Sequence, residues 1–248
     1  MSSRQVEHRI AAVSDGFVPH ATIVERLTGI RQRHVAAADQ QASDLATIAA
    51  AKLLADKGIA AAEVDLLLFA SASQDLVEPA TAHIVAAKLG LACPVFDIKN
   101  ACNSFLNGLQ VADALIRTGQ CSNVVVCTGE TPSRAVRWRV RDRAQFVDAF
   151  AGYTLSDGGA AILMRRATTG GIMHLEFVAD SSMWDAGTLP AGGSMHPRGE
   201  QYTYFSGDGR KLRDAFLRIG PRIFTDALAK VGMGWDGFAA IFVHQVTL

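Results

Sequence analysis

Cysteine, proline, aromatic residues and an excess of either charge are all scarce in this 248-residue sequence. Four cysteines, Cys93, Cys102, Cys121 and Cys127, are too few for a disulfide framework in a chain of this length, and none forms a CxxC pair. The seven histidines are scattered, with no HExxH motif and no pair at helical spacing beside carboxylates, so no protein-bound metal is expected. Lys plus Arg and Asp plus Glu both number 24, and without a basic tract nucleic acid is not an expected partner. The longest apolar runs, such as residues 64–73 and 238–243, fall well short of the roughly 20 residues a membrane-spanning helix needs. The opening MSSRQVEHRI holds no apolar segment before a small-residue cleavage site, which makes a cytoplasmic location the expectation.

What is present is apolar: 49% of the residues, against 19% charged, enough for one or two packed domains. Residues 64–72 (VDLLLFASA) form a continuous apolar run of strand length, the pattern of a strand buried on both faces of a parallel sheet. Around it the pattern predicts an opening strand at 9–13 and helices at 43–56, 80–89 and 103–118, ended by Gly58, Gly90 and Gly119. Further strands are predicted at 94–98, 123–129, in the stretch 156–164 after a Gly-rich turn, and at 171–179 and 238–243, with a charged, solvated excursion at 134–148. Alternating helices and buried strands predict an α/β fold.

An internal echo supports duplication. Residues 54–69 (LADKGIAAAEVDLLLF) lie over 228–243 (LAKVGMGWDGFAAIFV) without a gap, each with a helix end, a Gly stop, a short acidic link and an apolar run. The expected halves are 1–170 and 171–248, the second copy partial, with on the order of ninety residues of the repeat beyond Leu248.

Cys102 sits in the link KNAC between a predicted buried strand and an amphipathic helix, so its sulfur is expected near a helix N-terminus. There the helix dipole and backbone N–H groups can lower a thiol pKa and serve a developing oxyanion. Cys93, Cys121 and Cys127 fall at or within strand-like segments and read as small hydrophobes. His244 follows the apolar run 238–243, at what would be the C-terminal edge of a sheet, as a general base, a donor to a thioester oxygen or an ordinary polar cap. Glu78 precedes Pro79 at a predicted helix start, where a carboxylate is favoured by the dipole alone or could act as a base in a partly apolar pocket. Asp157–Gly159 lacks phosphate-loop spacing and reads as a close-packed turn.

At these residues the sequence resembles the thiolase superfamily, in its β-ketoacyl-acyl-carrier-protein synthase III branch. The matching motifs are TGIRQRH (28–34), FDIKNAC (96–102), SDGGAAILM (156–164), TLPAGGSMHP (188–197) and VHQV (243–246), in the family's order. The resemblance implies a duplicated αβαβα fold with mixed sheets and a buried central helix layer, a homodimer, and a Cys–His–Asn site. It implies that Cys102 accepts the acyl group and that His244 binds the thioester oxygen and supports carbanion formation. The family's Asn and C-terminal glycine-rich loop belong to a later segment than this sequence contains. Residues 19–28 hold no Trp where the family carries an aromatic that stacks on the coenzyme A adenine. Glu78 stands where ordinary synthase III enzymes tend to place an apolar residue. In this respect QDLVEPATA, with NAC and TGE (128–130), resembles the olefin-pathway thiolases, which join two acyl-CoA chains without decarboxylation and use such a glutamate as base.

The expected activity is a Claisen condensation of an acyl group on Cys102 with a malonyl-acyl-carrier-protein or acyl-CoA donor, giving a β-ketoacyl thioester. Coenzyme A and acyl-carrier-protein thioesters are substrates in this reading, and no cofactor is permanently bound. The alternatives are non-decarboxylative condensation with Glu78 as base, simple acyl transfer to an oxygen or nitrogen acceptor, and a non-catalytic thiolase-like partner subunit.

Overall fold

The computed structural model describes residues 1–244. In chain order its elements are α1 (Ser3–Val13), α2 (Ile23–Thr28), α3 (Ala42–Lys57), β1 (Leu66–Ala70), α4 (Thr81–Leu89), β2 (Val95–Ile98) and α5 (Ser104–Arg117). These are followed by β3 (Asn123–Glu130), α6 (Arg143–Asp148), β4 (Gly158–Arg165), β5 (Gly187–Thr188), β6 (Ser206–Gly207), α7 (Gly209–Ile219) and α8 (Arg222–Val231). The chain forms two compact units, neither continuous: His34–Arg134 with Ser156–Gly171, and Met1–Arg33 with Ala135–Leu155 and Ile172–Leu248.

The first of these units is a four-stranded sheet in the order β2-β1-β3-β4. β1 runs parallel to both β2 and β3, and β4 closes the sheet antiparallel to β3. Every residue of β1 is buried, as its unbroken apolar run predicts. Leu67 and Phe69 point to one face, where they join Val125 and Cys127 under Ala42, Ala46, Ala50 and Leu54 of α3 and Val85 of α4. Leu66, Leu68 and Ala70 point to the other, against Ala112 and Ile116 of α5. The alternation of successive side chains thus makes one strand the centre of two apolar layers. Glycine brings the helices close: a Cβ on Gly159 of β4 would fall 2.3 Å from the Leu45 carbonyl oxygen, so the SDGGAA turn is architecture.

The predicted helix ends hold. Gly58 and Gly90 close α3 and α4 in the left-handed conformation that glycine adopts without a Cβ penalty. At the start of α3, Gln41 is the N-cap, Asp44 accepts from its N–H at 2.7 Å, and Ser43 Oγ donates to Asp75.

In the other unit, residues 9–13 are not a strand but the last turns of α1. The reason is a capping box, in which Ser2 accepts from the Gln5 N–H and Gln5 accepts from the Ser2 N–H, together with Val6 and Ile10 one turn apart on the buried face. The segment 134–148 is not a solvated excursion either. Its charged residues face out while Val136, Val140 and Phe146 enter the core with Val6, Ile10, Val24 and Tyr153. Phe146 stacks on Tyr153 at 5.4 Å, and Tyr153 donates to the Arg137 carbonyl at 2.7 Å.

Two predicted strands are not formed. Residues 171–179 and 238–243 have no ladder partner among the described residues, and an apolar run becomes a strand only when another strand satisfies its backbone groups. The latter run is solvent-facing, with Phe242 94% exposed.

The echo recurs locally in three dimensions. Gly58 caps α3 with its N–H on Ala55 and Leu54, and Gly232 caps α8 on Ala229 and Leu228. Ile59 N–H then bonds to Leu54 O at 3.0 Å, and Met233 N–H to Leu228 O at 3.2 Å. A single 3-10 turn follows in both places, at Ala61–Glu63 and at Trp235–Gly237.

Candidate active site

Because β1, β2 and β3 are parallel, the loops leaving their C-terminal ends emerge at one edge of the sheet, the usual place for chemistry in α/β proteins. Three such exits matter: residues 71–78 after β1, 99–103 after β2, and Glu130 at the end of β3.

The turn from β2 into α5 is tight. Ala101 takes a positive φ of 47°, which a non-glycine residue adopts at a cost of order 1–3 kcal/mol when its surroundings enforce it. Those surroundings are specific: Asn100 N–H donates to Ser104 Oγ at 2.8 Å, Ser104 Oγ donates to the Ala101 carbonyl at 2.7 Å, and Asn100 Nδ2 donates to Asn107 Oδ1 at 2.7 Å. Cys102 is thereby held two residues before Ser104, the first residue of α5, and it is exposed.

The thiol does not behave as the helix-terminus argument predicts. Desolvation of its sulfur pushes the pKa of Cys102 up, the negative charge of Glu130 pushes it further, and only its own backbone N–H works the other way. Two N–H groups at the start of α5 are already engaged, that of Asn103 with the Asn100 carbonyl and that of Ser104 with the Ala101 carbonyl. The dipole is outweighed by desolvation of the sulfur and by a like charge, although the residue as a whole is exposed.

Glu130 was not singled out as a site residue by sequence; its signal is a carboxylate closing an otherwise apolar strand. Its Oε1 accepts from Ser71 Oγ at 2.8 Å and Ala72 N–H at 2.7 Å, and its Oε2 from Ser73 N–H at 3.1 Å and Ser73 Oγ at 2.8 Å. Ser71 N–H in turn donates to the Ile98 carbonyl at 3.2 Å, tying the exits of all three strands into one hydrogen-bonded edge. Asp97 of β2 accepts from Thr81 N–H at 2.9 Å and Ala82 N–H at 2.7 Å, satisfying the free donors at the start of α4.

Glu78 lies farther along the exit from β1 and is exposed; the apolar enclosure expected of a raised-pKa base is absent, and its neighbours Leu76 and Val77 are exposed as well. His244 belongs to the other unit and is exposed, after an unpaired run rather than a formed strand. Gln245 and Val246, the end of the VHQV motif, lie outside the described residues. Cys127 is buried within β3, its thiol pushed up to about 12 by burial and by Asp97, while Cys93 and Cys121 are half-buried. Among the described residues no group of three metal-ligating side chains converges, and no helix is long and apolar enough to cross a membrane.

Comparison with known proteins places these features in a family. Residues 96–181, which begin just before the Cys102 turn, match the family model of 3-oxoacyl-[acyl-carrier-protein] synthase III. The chain is 33% identical over 220 residues to the β-ketoacyl-[acyl-carrier-protein] synthase III of Neisseria meningitidis serogroup B, covering 88% of this chain and 66% of that protein. It is 32% identical over 227 residues to the synthase of Methylococcus capsulatus, covering 91% of this chain and 68% of the other. The chain thus spans about two thirds of the length of these curated relatives. Among solved structures, OleA of Xanthomonas campestris with bound cerulenin superposes with a TM-score of 0.83 at 26% identity, over 100% of this chain and 73% of that one. A cysteine-to-serine variant of OleA with lauric acid and lauroyl-CoA superposes with a TM-score of 0.79 at 26% identity, over 95% and 71%. The sequence match along most of the chain and the shared thiolase-like α/β fold agree: this chain belongs to the β-ketoacyl-[acyl-carrier-protein] synthase III family of the thiolase superfamily.

Proposed function

We propose that the protein is a condensing acyltransferase in which Cys102 takes an acyl group from an acyl thioester and the enolate of a second thioester attacks it. The observation that carries this reading is the position of Cys102, exposed on a strained turn at the sheet edge and ahead of α5, within the segment that matches the family. Sγ adds to the thioester carbonyl, the carbonyl–sulfur bond of the carrier breaks, and the Sγ proton ends on the departing carrier thiol. In the second step the new carbon–carbon bond forms as the acyl–Sγ bond breaks, and the product is a β-ketoacyl thioester. His244 stabilises the negative charge on the thioester oxygen of the second substrate.

The second substrate divides two routes. With a malonyl thioester, loss of carbon dioxide supplies the carbanion. With an acyl-CoA, a base must remove an α-proton, and Glu78 is assigned that role. Each route has support among the similar proteins: OleA, which holds lauroyl-CoA in one structure, for the acyl-CoA route, and the relatives named as acyl-carrier-protein synthases for the malonyl route. The reading includes a cytoplasmic homodimer working on coenzyme A or acyl-carrier-protein thioesters. It also takes 1–170 and 171–248 as copies of one unit, supported by the matched Gly58 and Gly232 caps and the turns that follow them. On that register His244 falls on Ala70, the last residue of β1, which is where a strand-end histidine would sit.

Incubation with radiolabelled acyl-CoA tests the proposal. The wild-type protein should acquire covalent label that hydroxylamine releases, and Cys102→Ala should acquire none. A wild-type protein that never takes label is a non-catalytic thiolase-like subunit, and label without β-keto product would mean acyl transfer to another acceptor.

A further inference from the structure

We propose that Asn107 is a positioning residue for the nucleophile: from one turn inside α5, its carboxamide oxygen gathers the side-chain amides of Asn100 and Asn103 and so aligns the Ala101–Cys102 turn between them. The inference rests on the reading of Cys102 as acyl acceptor and concerns a residue outside the assigned cysteine, histidine and glutamate.

The geometry is a fork that spans the turn. Asn107 Oδ1 accepts from Asn100 Nδ2 at 2.7 Å and from Asn103 Nδ2 at 3.3 Å. Asn100 stands two residues before Cys102, and Asn103, the residue after it, is the N-cap of α5. One oxygen with two lone pairs therefore holds both ends of the Ala101–Cys102 segment. Asn107 is itself fixed from behind: its N–H donates to the Asn103 carbonyl at 3.1 Å, and its Nδ2 donates to Gln110 Oε1 at 3.2 Å. Residues three and four apart share a helix face, which is why Asn103, Asn107 and Gln110 meet. Only one orientation of the carboxamide satisfies this set, because turning it over would face its NH2 to two other donors.

Ser104 clamps the same turn through the backbone, accepting from the Asn100 N–H and donating to the Ala101 carbonyl. Ser104 is buried, whereas Asn107 is half-buried and its bond to Asn100 is exposed. Loss of the Asn107 amide is therefore made good by water at little cost to the fold, but water does not tie Asn100 to Asn103. Ala101, strained at a φ of 47°, then relaxes more often, and the rotation carries Cys102 with it. Acyl transfer needs Sγ at attack distance and in line with the thioester carbonyl, and a misplacement of about 1 Å can cost about 100-fold. Alkylation by a small, freely tumbling reagent has no such requirement.

The test compares two reactions of the one sulfur in wild type, Asn107→Ala, Asn100→Ala and the double variant. These are the maximal rate of acyl labelling from radiolabelled acyl-CoA and the rate of alkylation of Cys102 by iodoacetamide, read by peptide mass spectrometry at the same pH. Their ratio cancels changes in thiol ionisation and exposure. Asn107→Ala should lower the ratio roughly tenfold, with half-saturating acyl-CoA within about twofold of wild type. Asn100→Ala should give most of that fall, and the double variant no more than Asn107→Ala, because both remove one bond. A ratio in folded Asn107→Ala within about twofold of wild type overturns the proposal. So does a rise in half-saturating acyl-CoA alone, which would put Asn107 against the substrate, and so does a double-variant loss equal to the product of the single losses. Should Asn107→Ala fail to fold, Asn100→Ala decides by the same ratio. Hydrogen exchange reads the clamp without substrate: the N–H groups of Asn103 and Ser104 should exchange roughly fivefold faster in Asn107→Ala, and unchanged exchange overturns the clamp. A wild-type protein that takes no label overturns the acyl-acceptor reading and the alignment for transfer with it, and faster exchange in Asn107→Ala tells that outcome from a failed clamp.

Discussion

Gly108 of α5 faces Val126 of β3 so closely that a Cβ on the glycine would lie 2.8 Å from Val126 Cγ1, and 2.9 Å from the Ala70 Cβ of β1. The absent side chain is what lets the helix behind Cys102 rest directly on the central strands. Gly108→Ala therefore sets two effects against each other. Helix propensity favours alanine by about 1 kcal/mol, whereas overpacking a close contact costs about 1–3 kcal/mol. The clash is with two buried groups that cannot swing away, so the net expectation is a loss of stability of up to about 2 kcal/mol. Urea unfolding measures it, and a variant with a raised midpoint would show that α5 has room to spare.

Glu78 should be separable from the fold. It is exposed, so Glu78→Gln is expected to change stability by no more than about 0.5 kcal/mol. Its effect should appear in chemistry alone: condensation of two acyl-CoA molecules falls, while condensation with a malonyl thioester, which needs no α-proton removal, is retained. Unchanged acyl-CoA condensation by the variant would remove Glu78 as the base.

Asp157 joins three chain segments within one unit. Its carboxylate accepts from Ala36 N–H at 2.7 Å, Ser133 N–H at 3.0 Å and Ser133 Oγ at 2.6 Å, and the residue is buried. Asp157→Asn replaces one acceptor oxygen by a donor facing donors, which should cost about 1–3 kcal/mol. A denaturation midpoint within error of wild type would mean that these bonds re-form through water.

Stability should fall in acid through a small number of identifiable carboxylates. The N–H groups of Asn123 and then Ser122 hold the Asp65 carboxyl below its ordinary range, against a minor opposing effect of burial. A lowered folded-state pKa contributes stability that is fully present above the unfolded value, about 3.9, and is lost as pH falls through the folded value. Asp65→Asn should accordingly flatten the acid limb of the urea midpoint plotted against pH, below about pH 4. An acid limb as steep as wild type would place the acid sensitivity elsewhere.

Thiol labelling should distinguish the cysteines by depth. Cys102 is exposed and is expected to react first in the native state, whereas Cys127, buried and pushed up to about 12, should react only on unfolding. Native-state label on Cys127 ahead of Cys102 would contradict the packing of β3.

Several elements were legible because their cause is local. The all-apolar run of β1 reads as a doubly buried strand, since both its faces are covered by helices. The stops at Gly58 and Gly90 read correctly, since a left-handed helix terminus depends on the glycine alone. The place of Cys102 between β2 and α5 follows from the same periodicities. Other readings failed where the cause is distant. The short apolar stretch at 9–13 looks like a strand unless the capping box at Ser2 and Gln5 is given its weight. The charged look of 134–148 hides Val136, Val140 and Phe146, which are assigned to the core only by helices elsewhere in the chain. The runs 171–179 and 238–243 have strand composition, but a strand needs a partner and the described residues offer none.

By itself, then, the sequence determined the alternating α/β plan, the nucleophile's position in a strand-to-helix link and the family, because periodicity, glycine stops and motif order are carried by neighbouring residues. Only the tertiary structure decided the state of that nucleophile. Whether a thiol is raised or lowered depends on its desolvation and on the charges around it, and Glu130, at the end of a strand that follows Cys102 in the chain, is placed at the same sheet edge by parallel pairing and not by proximity in sequence.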